Sequence, residues 1–129
     1  MIPTWIEVSA SNREFLSEIT RVFKNRHMGR NNAVKLPALA LEILGITPAD
    51  KTYANATRTL RRSFEIINQD FEGLIVSDTE VGYWYAASLI DGLAAVDALK
   101  SRALTILKNA NTVEANIANA YGGQLGLFL

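Results

Sequence analysis

Thr52-Tyr53-Ala54-Asn55-Ala56-Thr57-Arg58-Thr59-Leu60-Arg61-Arg62-Ser63-Phe64 leads into Gly73-Leu74-Ile75-Val76, Ser77-Asp78-Thr79-Glu80 and Val81-Gly82-Tyr83-Trp84-Tyr85. In the first part, Tyr53, Ala56, Leu60, Phe64 and Ile67 recur every three or four residues. That period predicts a helix over residues 52–68 with one buried face. Asn55, Arg58, Thr59, Arg61, Arg62 and Glu65 fall elsewhere on the wheel and point outward. The second part is two short apolar runs across four polar residues, which predicts a β-hairpin. Gly82 supplies a permissive backbone position near the start of the second strand. The aromatics beside it are expected to lie over the helices as a lid.

Working back toward the N-terminus, Ser11-Asn12-Arg13-Glu14 has the pattern of a capping box, with Ser11 accepting from the amide of Glu14. Phe15, Leu16, Ile19, Val22 and Phe23 then form a helical stripe that should end near His27, with Gly29 as the breaker. Gly29-Arg30-Asn31-Asn32 reads as a polar connection. A second helix is expected over residues 36–44, because Pro37 fits only in a first turn and Gly45 follows the last apolar residue. Ile46-Thr47-Pro48-Ala49-Asp50 is then a turn. Helix, short turn and a second helix with a basic outward face make a helix-turn-helix. With the hairpin added, the expected fold is mainly α: a winged helix-turn-helix of three helices plus a β-hairpin.

Beyond the hairpin, Ser88-Leu89-Ile90-Asp91 opens a further helix carrying Leu93, Val96, Leu99, Leu104, Ile106 and Leu107. It is expected to run, with or without a break near Asn109-Asn111, through Val113 and Ile117 to Ala120 and to break at Tyr121-Gly122-Gly123. A helix of that length with an apolar stripe packs on its own domain and can also pair with a second copy, so a homodimer is a candidate assembly. The expected organisation is a winged-helix domain (residues 1–87), a C-terminal helical extension (88–121) and a flexible tail (122–129).

Composition restricts the chemistry. The chain has 129 residues, 49% of them apolar and 20% charged, with no cysteine. This is enough for one folded core and leaves no disulfide framework and no thiolate nucleophile or metal ligand. The N-terminus lacks the pattern of a secretory signal, and no apolar run is long enough for a transmembrane helix. The expectation is therefore a cytoplasmic protein with no membrane contact. Net charge is zero but unevenly placed. Residues 1–35 sum to +3, 36–50 to −2, 51–69 to +3, 70–80 to −4 and 81–129 to zero. A local basic face is what steers phosphate.

No catalytic role is expected. The sole histidine, His27, is expected to be exposed, and no zinc-protease, dinucleotide, P-loop or nucleophile-elbow motif is present. Asp70, Glu72, Asp78 and Glu80 sit around a hairpin rather than in calcium-loop spacing, so they read as a solvated turn, with no metal and no cofactor. The helix over 52–68 has the chemistry of a duplex-DNA reader: Arg pairs with guanine, Asn with adenine, and Lys or Thr holds phosphate. Lys51, Thr52 and Asn55 are the candidate base contacts. Arg58, Arg61 and Arg62, with Thr59 beside them, are the candidates for phosphate and groove edge. Asp78 and Glu80 make the wing a poor phosphate contact.

The end of the chain adds a second motif. Gln124-Leu125-Gly126-Leu127-Phe128 resembles the Gln-Leu-x-Leu-Phe peptide by which bacterial polymerases and repair proteins dock on the β sliding clamp. The resemblance implies that Leu127 and Phe128 enter an apolar pocket from an extended tail while Gln124 makes the orienting hydrogen bonds, with Leu125 also among the partner-binding residues. The family usually has Ser or Asp where Gly126 stands. Residues 34–129 further resemble small bacteriophage and prophage winged-helix DNA-binding proteins, in Gly82-Tyr83-Trp84, Lys100-Ser101-Arg102-Ala103 and the terminal peptide. That resemblance implies double-stranded DNA binding in phage replication, recombination or regulation inside a bacterial host. Two readings compete with it: a protein-interaction module or host-factor inhibitor whose winged helix does not touch DNA, and a plain transcriptional repressor.

Overall fold

A computed structural model describes residue 10 and residues 12–125. In chain order its elements are α1 (Arg13–Arg26), a short 3-10 turn (Arg30–Asn32), α2 (Leu36–Leu44), α3 (Tyr53–Asp70), β1 (Ile75–Asp78), β2 (Gly82–Tyr85) and α4 (Leu89–Leu125). The fold is mainly helical, with one two-stranded antiparallel sheet and a long C-terminal helix. The chain divides into two compact units, one through Ala95 and one from Val96 onward. The first turns of α4 therefore belong with the helices and hairpin, rather than separating from them at residue 88.

Each helix of the first unit forms where apolar spacing and end chemistry agree. α1 buries Phe15, Leu16, Ile19, Val22 and Phe23, the whole stripe expected from the sequence. Its cap is Asn12, whose side chain accepts from the amides of Glu14 and Phe15. The amide assigned to Ser11 is thus taken by the next residue, and Ser11 itself lies outside the described residues. α2 starts with Pro37 in its first turn and ends at Gly45, which takes the left-handed conformation (φ 67°) favoured after a last helical turn. α3 buries Ala56, Leu60, Phe64 and Ile67, with Tyr53 packed at the edge of the cluster. Phe23 meets Phe64 edge-on at 5.3 Å, and Phe64 meets the Tyr83 ring at 5.1 Å, so α1, α3 and β2 share one aromatic junction.

The hairpin differs from expectation by two residues. The first strand is Ile75–Asp78 rather than residues 73–76, because the end of α3 captures the earlier residues. The amide of Gly73 donates to the Ile67 carbonyl (2.9 Å). The Asn68 side chain accepts from the Ile75 amide (3.0 Å) and donates to the Ile75 carbonyl (2.8 Å), taking the place of a neighbouring strand. At the other end, one Asp78 carboxylate oxygen accepts from the amides of Glu80 (2.9 Å) and Val81 (2.8 Å). This moves the turn to Thr79-Glu80-Val81 and leaves Ser77 and Asp78 in the strand. The register pairs Ile75 with Tyr85 and Asp78 with Gly82.

The connection from α1 to α2 is more than a polar loop. Residues 27–34 lie along the free edge of β2. The amide of Tyr85 donates to His27 (2.7 Å), Gly29 donates to Tyr85 (2.8 Å), and Val34 and Tyr83 exchange both main-chain bonds (2.9 and 2.8 Å). Gly82 is where this approach is tightest. A Cβ there would lie 2.3 Å from the Val34 carbonyl oxygen, and its φ of +99° is itself unsuited to other residues.

The aromatic lid is split between two faces. Tyr83 and Tyr85 join the helical core, whereas Trp84, pointing the other way by strand alternation, is buried outside that cluster. Its indole donates to the Asp91 carboxylate (2.9 Å), which also accepts from the amide of Ala87 (3.0 Å). The Ser88 hydroxyl in turn accepts from the amide of Asp91 (3.2 Å). This capping pair fixes the start of α4 on the outer face of the hairpin.

α4 is interrupted at Tyr121 (φ −128°), the first residue of the expected break, and the backbone is helical again through Leu125. From residue 97 to residue 122 every residue is exposed. Among the described residues no helix is long and apolar enough to cross a membrane.

Candidate nucleic-acid interface

The turn between α2 and α3 fixes where the basic face begins. The Asp50 carboxylate accepts from the amide (2.7 Å) and the hydroxyl (3.3 Å) of Thr47, and the Asp50 carbonyl accepts from the amide of Tyr53 (3.1 Å). The first helical residue is consequently Tyr53. Lys51 and Thr52 stand in the turn just ahead of the helix, rather than within it. Thr52 is the N-cap residue, yet its side chain caps no amide. The helix thus starts without a side-chain cap and with the positive end of its dipole beside Lys51, an arrangement suited to an anion.

Asn55, Arg58, Arg61 and Arg62 are all exposed, and Thr59 is half-buried. At 100° per residue, Asn55, Arg58 and Arg62 lie opposite the buried stripe of Ala56, Leu60 and Ile67. Arg61 lies to one side of that line. The seven predicted residues differ in what already holds them. The Arg62 guanidinium donates to Glu65 one turn on (2.8 Å), and the Thr59 hydroxyl donates to the Asn55 carbonyl (3.1 Å). Lys51, Arg58 and Arg61 make no ion pair among the described residues. These three cations are free to meet phosphate without first breaking a bond.

The wing tip has the opposite character. Arg30, from the connection after α1, donates to Asp78 (3.0 Å) and Glu80 (3.3 Å). The amide of Val81, then the Arg30 guanidinium and the amide of Glu80, hold the Asp78 carboxyl below its ordinary range, against a partial opposing effect of burial. Two of the four acids around the hairpin are therefore engaged, one of them in building the turn itself. Glu80 still presents most of its side chain to solvent. Among the described residues no three His, Asp or Glu side chains converge as a metal site would require.

The sequence reading missed two groups. One is Arg30, placed in a loop and found on the wing. The other is His27, which is largely buried rather than exposed. Its Nε2 lies 2.7 Å from a Glu42 carboxylate oxygen and its Nδ1 lies 3.0 Å from the Asn32 carbonyl, while Arg26 also reaches Glu42 (3.3 Å). Both ring nitrogens face acceptors, so the ring clasps the end of α1 to α2. Only the long-range fold brings His27 and Glu42 together, and no local pattern marks the pair. A depression of about 420 Å³ between α1 and the end of α3 is lined by Arg13, Ser17, Lys24 and Phe71, among others, and by none of the predicted site residues.

In the tail, the backbone of Gln124 and Leu125 is helical rather than extended. Leu127 and Phe128 lie outside the described residues. No protein-family model, curated protein or solved structure matches the chain.

Proposed function

We propose that this chain is a winged-helix protein that binds double-stranded DNA, with α3 in the major groove. The observation that carries the reading is the pairing of residues 27–34 with β2. It gives the order helix, bridged connection, helix, helix, strand, strand, in which the second helix of the turn presents an exposed basic face. Lys51, Thr52 and Asn55 stand at the leading end of that helix, where such elements reach base edges. Arg58 and Arg61 take phosphate, and Arg62 joins them once it leaves Glu65. The wing tip stays off the backbone, because Glu80 would meet phosphate charge to charge. The C-terminal peptide, by its resemblance, adds docking on a bacterial β sliding clamp through Gln124, Leu125, Leu127 and Phe128. The role that follows from this reading is phage-type replication, recombination or regulation in the host cytoplasm.

The test is titration of a labelled random duplex at several salt concentrations. Arg58→Ala with Arg61→Ala should weaken binding about tenfold or more and make the salt slope shallower by roughly two. Arg62→Ala should do less, because it also frees Glu65. Duplex affinity unchanged in the double variant would remove α3 from the interface. Deleting residues 124–129 should abolish co-elution with the clamp under nuclease treatment and leave duplex binding intact.

The acidic wing favours one alternative, a protein-interaction module that does not touch DNA. A chain that fails to bind duplex at low salt yet retains a nuclease-resistant host partner would establish it.

A further inference from the structure

The helical stretch from Val96 to Ala120 is a structure without visible support. Leu99, Ile106, Val113 and Ile117 are each roughly half exposed or more, which is far from where such side chains rest in a lone folded chain. Nor does local propensity hold the helix. Asn109, Asn111, Thr112, Asn116 and Asn119 are all weak helix formers, and the stretch contains no ion pair among the described residues. A helix of this composition takes its stability from packing one face against something.

The spacing says which face. Written as heptads, Val96, Ala103, Ala110 and Ile117 fall at one core position (a), and Leu99, Ile106, Val113 and Ala120 at the other (d). All eight positions are apolar over three and a half heptads, a length that supports a two-stranded coil. Leu107 widens the stripe on one side, whereas Leu104 lies off it.

We propose that residues 96–120 of α4 pair with the same residues of a second copy as an antiparallel two-stranded coiled coil, centred near Lys108. Two features select this occupant and this direction. The first is size. An antiparallel pairing about that centre sets Ala103 against Val113 of the second copy and Ala110 against Ile106 of the second copy, so small faces large. A parallel pairing would set each alanine against itself and leave thin layers between thick ones. The second is charge. Lys100 and Glu114 occupy equivalent flanking positions (e), which meet each other across an antiparallel seam. Symmetry makes that contact twice, with Leu107 meeting its own copy between them. In a parallel coil Lys100 would face Ala95, Arg102 would face Leu107 and Glu114 would face Asn109, so no opposite charges would meet. The surface is complementary to itself in one orientation, which is the condition for a closed two-fold dimer. The pairing does not depend on DNA binding, and failure of either inference leaves the other standing.

The absence of cysteine from the sequence makes the register directly testable in the full chain. Sedimentation should show a concentration-dependent dimer. Lys100→Glu should raise its dissociation constant about tenfold, and Lys100→Glu with Glu114→Lys should restore it. Under mild oxidation, Ala103→Cys with Val113→Cys should cross-link, and Ala103→Cys alone should not. Cross-linking by the single variant would mean a parallel coil and would overturn the proposal. So would a chain that stays monomeric at high micromolar concentration, or a charge reversal that the second substitution fails to rescue.

Discussion

α3 and α4 are both long helices with a repeating apolar pattern, but only α3 has an inner side. α3 buries six of its residues, among them Leu60, which is completely covered. α4 buries Ala95 and nothing beyond it among the described residues. The difference is not one of hydrophobicity, since α4 carries more large apolar side chains. It is one of neighbours: α3 is clasped by α1, α2 and the hairpin, whereas α4 is exposed at every residue from 97 to 122. Apolar spacing therefore tells which side of a helix will be covered without telling by what. In α3 the cover is the same chain, and the opposite side is left for a ligand. In α4 the cover has to come from elsewhere.

The comparison breaks most sharply at Leu60. Leu60→Ala should lower stability by about 3 to 4 kcal/mol, the usual result of emptying a fully packed leucine site. The corresponding change in α4, Leu104→Ala, should leave the thermal midpoint within about a degree, because this side chain is exposed and lies off the proposed seam. Thermal or denaturant unfolding of both variants measures the contrast. Equal losses would mean that α4 has an inner face among its own chain after all.

Gly82→Ala should follow in size. The new Cβ collides with the Val34 carbonyl and the backbone is held at positive φ, so a loss of about 2 to 3 kcal/mol is expected. The loss should localise to the contacts of residues 27–34 with β2. Amide exchange at Val34 and Tyr83 should accelerate before exchange within α1 does. Uniform acceleration would mean that residues 27–34 are not a separate closing element.

These two sites also show what the sequence could and could not convey. α2 and the buried stripes of α1 and α3 were readable because each follows from residues a few positions apart: Pro37 and Gly45 at the ends, Phe15 to Phe23 along one side. The strand boundaries were not, because they depend on Asn68 reaching Ile75 and Asp78 reaching Glu80 and Val81, bonds that a run of apolar residues does not reveal. The bridging of residues 27–34 to β2 was hidden for a similar reason. The segment's composition is polar, and it pairs only because Gly82, about fifty residues on, lets the backbones meet. In the candidate interface the exposure of Asn55, Arg58, Arg61 and Arg62 was legible from the helical wheel, whereas the half-burial of Thr59 and the place of Thr52 ahead of the helix were not. The engagement of Arg62 by Glu65 and of the wing acids by Arg30 was not legible either, since charge patterning counts charges without saying which are already paired.

The smallest effect belongs to the wing, and its dependence on pH separates charge from hydrogen bonding. Asp78 has a lowered pKa in the folded chain, so its contribution is complete above the ordinary aspartate value near 4 and disappears as pH falls through the folded value. The stability of the hairpin should therefore decline on acidification below about pH 4 and be flat on this account between pH 5 and 8. Asp78→Asn retains an oxygen that can accept from the amides of Glu80 and Val81 and loses only the charge facing Arg30. It should give a hairpin slightly weaker at neutral pH and insensitive to acid in that window. Asp78→Ala loses the turn bonds as well and should fall further, by about 1 kcal/mol at neutral pH. Exchange rates of the Val81 and Gly82 amides across pH 2.5 to 7 would read both effects. If Asn and Ala behave alike, the carboxylate acts on the wing through Arg30 alone, and the turn is held by its backbone rather than by Asp78.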